Sequence, residues 1–230
     1  MINMKHSILI IFLSFSIVSF SQDNGQSMHN AGQSGRLRLN NPNTDPYIAE
    51  SNSPFFSDRW MKAALVLING KVQNGLAVKL DLFENKIYFL DEEGNENVST
   101  TPVKEILLAD TANNKIYRLI HSSALNAAGA EAGWYQLLCA GDVQLYKKTI
   151  KALPRSMTQQ SDEEIKPLET SVQFFVLING NLLKIKKGKD ISEVAGAKKA
   201  QLQEYARSKN LNGKSEENMI EMVTYFNSLK

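Results

Sequence analysis

Cysteine is almost absent: Cys139 is the only one in 230 residues. One thiol cannot close an internal disulfide, so the fold must draw its stability from packing. Histidine is as scarce. His6, His29 and His121 are the three, and none pairs with another at His-x-x-x-His spacing. With a single Cys and scattered His, a zinc centre has no ligand set. Charge of one sign is lacking too: 26 basic residues face 24 acidic ones, a net of +2. That balance argues against a nucleic-acid partner, which needs a concentrated basic face. No Gly-rich phosphate loop is present. No apolar run reaches the roughly twenty residues that cross a bilayer as a helix.

The longest apolar run, Ile8–Val18, follows the basic start Lys5-His6 and precedes the small residues Ser19 and Ser21. This layout predicts a cleavable export signal over 1–21 and an exported protein, periplasmic or secreted. Residues 22–53, rich in Asn, Ser, Gln and Gly, read as a flexible polar leader. Charge is unevenly placed beyond the signal. Residues 22–145 carry ten basic and fourteen acidic side chains, and 146–230 carry fifteen and ten.

From Pro54 to Lys189 the pattern is β. Apolar runs and alternating stretches predict strands at 64–68, 76–82, 86–90, 103–109, 115–120, 134–139, 143–150, 172–178 and 181–187. Short polar turns separate them, which predicts antiparallel hairpins, since parallel strands need long crossovers. Residues 91–95 and 124–133 read as loops, the latter with at most a weak helical turn, and 154–170 as a polar linker. The pentapeptide Val-Leu-Ile-Asn-Gly occurs at 66–70 and again at 176–180. The residues after each copy differ, so the two are read as the same local physics: a strand feeding a two-residue type I′ turn, which Asn-Gly favours.

The last forty residues switch to helical spacing. Asp190-Ile191-Ser192-Glu193 has the spacing of a capping box, and the helix after it places Leu202, Tyr205 and Ala206 on one face, ending at Asn212-Gly213. Ser215 caps a second helix with Glu216 and Glu217 in its first turn; Met219, Met222, Val223, Phe226 and Leu229 form its apolar stripe. The expected class is α+β: antiparallel hairpins in a curved sheet or partly closed barrel over 54–189, with a helical pair over 190–230 packed on it.

Several of these stretches together are familiar: Ser53–Trp60, the Val66–Lys71 hairpin, the Gly141–Lys147 strand, and the helical end Val223–Asn227. In this layout the chain resembles a group of secreted envelope proteins of Bacteroidetes-type bacteria. The resemblance implies an envelope location and brings no catalytic residues.

Candidate chemistry is sparse. The acidic stretch Asp91–Asn97 has oxygens for calcium but lacks EF-hand spacing and reads as a hairpin loop. Gly32-Gln33-Ser34-Gly35 is not a nucleophile elbow. A Cys139–His121 pair has no local support, and Cys139 lies in an apolar run that predicts a buried thiol. No catalytic, cofactor-binding or metal-ligating residue is assigned. The binding candidates are Trp60 and Trp134, whose rings could stack on sugars, and Lys184, Lys186 and Lys187, which could meet an anionic polymer. The expected function is a non-enzymatic envelope protein that binds another protein or a polysaccharide. The alternatives are a carboxylate-dependent hydrolase and a structural scaffold.

Overall fold

Alternation along the first strand sets the sheet. In β1 (Met61–Leu67) the odd-numbered Met61, Ala63, Leu65 and Leu67 are buried, while Lys62, Ala64 and Val66 between them are not. That period of two gives one face to the core and one to the outside. The computed structural model describes residues 53–153 and 168–229. The expected signal, nearly all of the leader and most of the expected linker lie outside these residues.

Among the described residues nine further strands follow: β2 (Val72–Leu80), β3 (Ile87–Leu90), β4 (Glu96–Val98), β5 (Val103–Asp110), β6 (Lys115–His121), β7 (Trp134–Cys139), β8 (Gln144–Ala152), β9 (Glu169–Ile178) and β10 (Asn181–Ile185). All ten form one antiparallel sheet in the order β10-β9-β8-β7-β6-β5-β1-β2-β3-β4. The first strand is therefore internal. One wing runs outward from it through β2 to β4, and the chain returns to lay β5 on its other side. An open sheet this wide curls under its own twist. The α+β class holds.

The two copies of Val-Leu-Ile-Asn-Gly do not make the same turn. The second closes as expected, with Asn179 at φ 50° and Gly180 at φ 74° between the paired Ile178 and Asn181. In the first copy only Gly70 is left-handed, at φ 87°. Its loop is one residue longer: Leu67 N–H donates to Lys71 C=O at 2.8 Å around Ile68, Asn69 and Gly70. That is a type I turn with a glycine bulge rather than type I′. Ile68 N–H is drawn away to Pro102 C=O at 3.0 Å, a partner that the sequence around the turn does not reveal. Gly75, at φ 80°, is a second irregularity: it is the extra residue where the β1–β2 register shifts between Ala63 and Ala64. Strand β4, which overlaps the end of the 91–97 stretch read as a hairpin loop, pairs with β3 through Val98 and Asn97.

The helical end also departs from expectation. A first helix, α1 (Gly188–Val194), starts before Asp190, and a second, α2 (Lys199–Ser208), is separated from it by Gly196 at φ 57°. Asp190 is not the cap residue but lies in the first turn. Its carboxylate reaches back to the N–H groups of Lys186 and Lys187, at 2.6 and 3.1 Å. Helix α2 stops at Ser208 because Asn210 takes the left-handed conformation, so Asn212-Gly213 lies in the following loop. Helix α3 (Glu216–Ser228) is capped as expected, Ser215 Oγ accepting from Asn218 N–H at 3.2 Å.

The helices cover one face of strands β7–β10. Leu145, Val176 and Ile185 from the sheet pack with Ile191, Leu202, Met219, Met222, Val223 and Phe226. Each such side chain, fully buried, contributes on the order of 1.5–3 kcal/mol. Tyr205 is only half-buried and lies outside this core; it stacks on Tyr225 with ring centroids 3.8 Å apart. The opposite face of the same strands carries Tyr135, Tyr146, Phe175 and Leu182, covered by Leu125 from the 122–133 connection. This connection opens with one 3-10 turn, Ser122–Ala124, and reaches the outer edge of β10. There Ala128 N–H donates to Gly180 C=O at 2.9 Å and Leu182 N–H to Ala128 C=O at 3.0 Å. A polypeptide strap thus covers part of an edge that would otherwise present unpaired backbone groups.

Candidate functional site

On the face of the sheet that carries Met61 and Leu108, beside the helices, a groove of about 400 Å³ opens. Strand pairing explains its lining. Residues directly opposite one another across a ladder point to the same side. Leu108 faces Tyr117, Leu119 faces Gln136, Gln136 faces Lys147, and Lys151 faces Thr170. The alternation that buries Leu108 and Leu119 therefore brings Tyr117, Gln136, Lys147, Thr149, Lys151 and Thr170 to one surface, all lining the groove. The lead-in before β1 supplies one wall: Phe55, Phe56, Ser57 and Arg59. It is held there by Phe56 N–H to Leu80 C=O and Leu82 N–H to Pro54 C=O, both 2.8 Å. The Phe56 ring meets Tyr117 edge-on, centroids 5.1 Å apart.

One carboxylate lines the groove. Asp110, 5% exposed, accepts from Asn113 Nδ2 at 2.8 Å and from Arg59 Nη2 at 3.1 Å on both oxygens. Those Asn113 bonds, with the Arg59 charge, hold its carboxyl below the usual range. Lys147 pairs with Glu216 of α3 at 2.8 Å. Lys151 has no ion-pair partner among the described residues. Gln136 is 6% exposed, and its amide makes no hydrogen bond within the described residues although it lines the groove. The buried side-chain polar atoms without a partner among the described residues are Gln73 Oε1 and Trp134 Nε1; the Gln136 amide is not one of them.

The residues singled out in the sequence are not brought together. Trp134 is 4% exposed, its ring edge-on to His121 at 5.0 Å, and no face of it is open for stacking. Trp60 is half-exposed, with Lys79 Nζ 5.0 Å over its ring. Lys184, Lys186 and Lys187 are exposed on and just after β10, away from the groove lining. His121, at the end of β6 opposite Trp134, and Cys139, at the far end of β7, are about 16 Å apart by strand rise. Cys139 is half-buried rather than buried, its Sγ 3.5 Å from Thr224 Oγ1. Burial lowers the His121 pKa, and its Nδ1 meets Ser123 Oγ at 2.8 Å. The Asp91 carboxylate is occupied by its own loop, accepting from Asn95 N–H at 2.7 Å and Asn97 Nδ2 at 2.9 Å.

Among the described residues Asp81 is the carboxyl whose pKa burial raises, but it works as a turn cap. It accepts from the N–H groups of Phe83 and Glu84, both at 2.8 Å, outside the groove lining. No cluster of three His, Cys, Asp or Glu able to hold a metal occurs among the described residues. No family model, curated protein or solved structure matches the chain.

Proposed function

We propose that the protein is an exported, non-enzymatic module of the cell envelope that binds a polymeric partner, protein or polysaccharide, in the groove between the lead-in and strands β5–β9. The observation that carries this reading is Gln136. Its amide borders the groove and makes no hydrogen bond among the described residues, which leaves a donor and an acceptor free for a ligand. Hydrolysis by paired carboxylates needs two acids flanking the scissile bond. The groove offers one, Asp110, and that one is tied to Arg59 and Asn113.

The test is capture from an envelope fraction with the full exported chain as bait, beside a Tyr117→Ala/Lys151→Ala variant of equal thermal stability. Material retained by the wild type and lost from the variant supports the reading. Equal retention by both overturns it.

A further inference from the structure

We infer that Asn74 is a site of self-modification: its side-chain amide cyclises onto the backbone nitrogen of Gly75 and becomes a carboxylate. Five Asn-Gly pairs occur in the sequence, and four lie among the described residues, at Asn69, Asn74, Asn179 and Asn212. Glycine suits the reaction in each, because it has no Cβ to hinder the approach of its nitrogen. The fold treats the four differently.

The step uses water alone as co-reactant. Gly75 N attacks Asn74 Cγ and forms the new bond of a five-membered imide. The Cγ–Nδ2 bond breaks, and Nδ2 leaves as ammonia with the proton from Gly75 N–H. Water then opens the ring. Addition at Cγ gives aspartate; addition at the backbone carbonyl carbon gives isoaspartate, in which the chain runs through Cβ and Cγ. Nothing is oxidised or reduced.

Three of the pairs are guarded, each in its own way. At Asn69 both reacting groups are engaged: Oδ1 accepts from Lys71 N–H at 3.0 Å, and Gly70 N–H donates to Leu67 C=O at 2.9 Å. Asn179 is left-handed, at φ 50°. In that conformation ψ is about +47°, which sets the following nitrogen anti to Cβ and away from Cγ. Asn212 Oδ1 accepts from Lys214 N–H at 2.9 Å and from Asn218 Nδ2 at 3.1 Å. Its glycine, Gly213, is wedged against Gly188, where even a Cβ would collide.

Asn74 has none of these guards. It is exposed and lies in the extended strand β2. A strand ψ of about +135° swings the following nitrogen round toward the side chain. Gly75 is exposed too, and as the extra residue of the bulge it has no partner of its own across the β1 ladder. A Cβ built on it would meet nothing within 4 Å. On the other side of β2, strand β3 pairs only with Val78–Leu80, so Asn74 and Gly75 lie on a free stretch of edge. Backbone with this freedom can make the rotation that closes the ring. The product sets a carboxylate on the outer face of the sheet, opposite Ala64.

The experiment is incubation of the full exported chain in mildly alkaline buffer, followed by digestion and mass spectrometry of each Asn-Gly peptide. The mass gain of amide-to-acid conversion is read against time, and an isoaspartyl assay identifies the linkage. A parallel sample is held unfolded in urea. In the folded protein Asn74 is expected to convert at least tenfold faster than Asn69, Asn179 or Asn212. In urea the four rates should draw together, because each asparagine is followed by glycine. A different leading site in the folded chain overturns the inference, as does an Asn74 that stays intact while the unfolded sample converts. The same ranking in urea overturns it as well, since the sequence rather than the fold would then set the site.

Discussion

Asn227 pairs with the backbone of Val143 as another strand would: its Oδ1 accepts from Val143 N–H at 2.9 Å, and its Nδ2 donates to Val143 C=O at 2.8 Å. One side chain of α3 thereby fixes the β7–β8 turn to the helical layer. The approach is so close that a Cβ at Gly141 would collide with the Asn227 amide, and Gly141 is also left-handed, at φ 150°.

Asn227→Ala is expected to cost about 1–3 kcal/mol, because it leaves two part-buried backbone groups unpaired. Gly141→Ala should destabilise as well. The double variant should cost less than the sum of the two, since both disrupt one contact. Urea midpoints of the four proteins check this; strict additivity would mean that Asn227 and Gly141 act separately.

The two Val-Leu-Ile-Asn-Gly turns give a matched comparison. Asn179 holds a left-handed conformation, whereas Asn69 does not. Asn179→Ala should therefore cost about 1–2 kcal/mol in backbone strain, and Asn69→Ala distinctly less. Thermal melting of the two variants measures the difference, and equal losses would contradict the assignment of different turns.

Lys148 is 6% exposed and holds the strap from beneath: its Nζ lies 2.9 Å from Ala132 C=O and 5.0 Å from the Tyr135 ring centre. Its carboxylate neighbour, Glu131, is 3.4 Å away and largely exposed, and the Ala132 carbonyl provides its shortest contact. Lys148→Met keeps the stem and removes the donor. It should cost about 1–3 kcal/mol and speed amide hydrogen exchange across 125–133. Unchanged exchange would mean that the strap is held by its apolar contacts and the Ala128 bridge alone.

Asp110 predicts a specific pH response. Hydrogen bonds from Asn113, with the Arg59 charge, depress its pKa in the fold. A carboxyl depressed in this way adds stability above its unfolded value, near pH 4, and the contribution is lost as pH falls through the folded value. The difference in urea midpoint between wild type and Asp110→Asn should be full at pH 7 and shrink below about pH 4. A difference independent of pH would assign the effect to packing.

Hairpin punctuation was legible because it is local. Trp134–Cys139 is a strand within the bounds its residues predict, and Ser215 caps α3 because capping depends on neighbours three residues apart. What was not legible depends on partners distant in sequence. β4 carries one apolar residue, Val98, and forms only because β3 lies beside it. In the first Val-Leu-Ile-Asn-Gly turn Ile68 N–H is bonded to Pro102 C=O, a partner more than thirty residues away. The groove draws on six strands and the lead-in, so its members share no motif. One signal was present: in β5 and β7 the polar Asp110 and Gln136 occupy inward-facing places in the alternation that apolar residues otherwise fill. A polar residue at a core position is the trace such a site leaves in sequence.

The internal position of β1 divides the molecule at a seam. Within each wing, strands pair with their sequence neighbours, so each can zip from hairpin to hairpin with short loop closures. The β1–β5 ladder alone joins the wings strand to strand, and it cannot form until the whole of β2–β4 has been looped out between them. Cutting the chain in the Ser99–Pro102 connection would leave two pieces with complementary edges, β1 on one and β5 on the other. The molecule is in this sense a pre-scored pair of halves, whose rejoining reports the formation of one ladder.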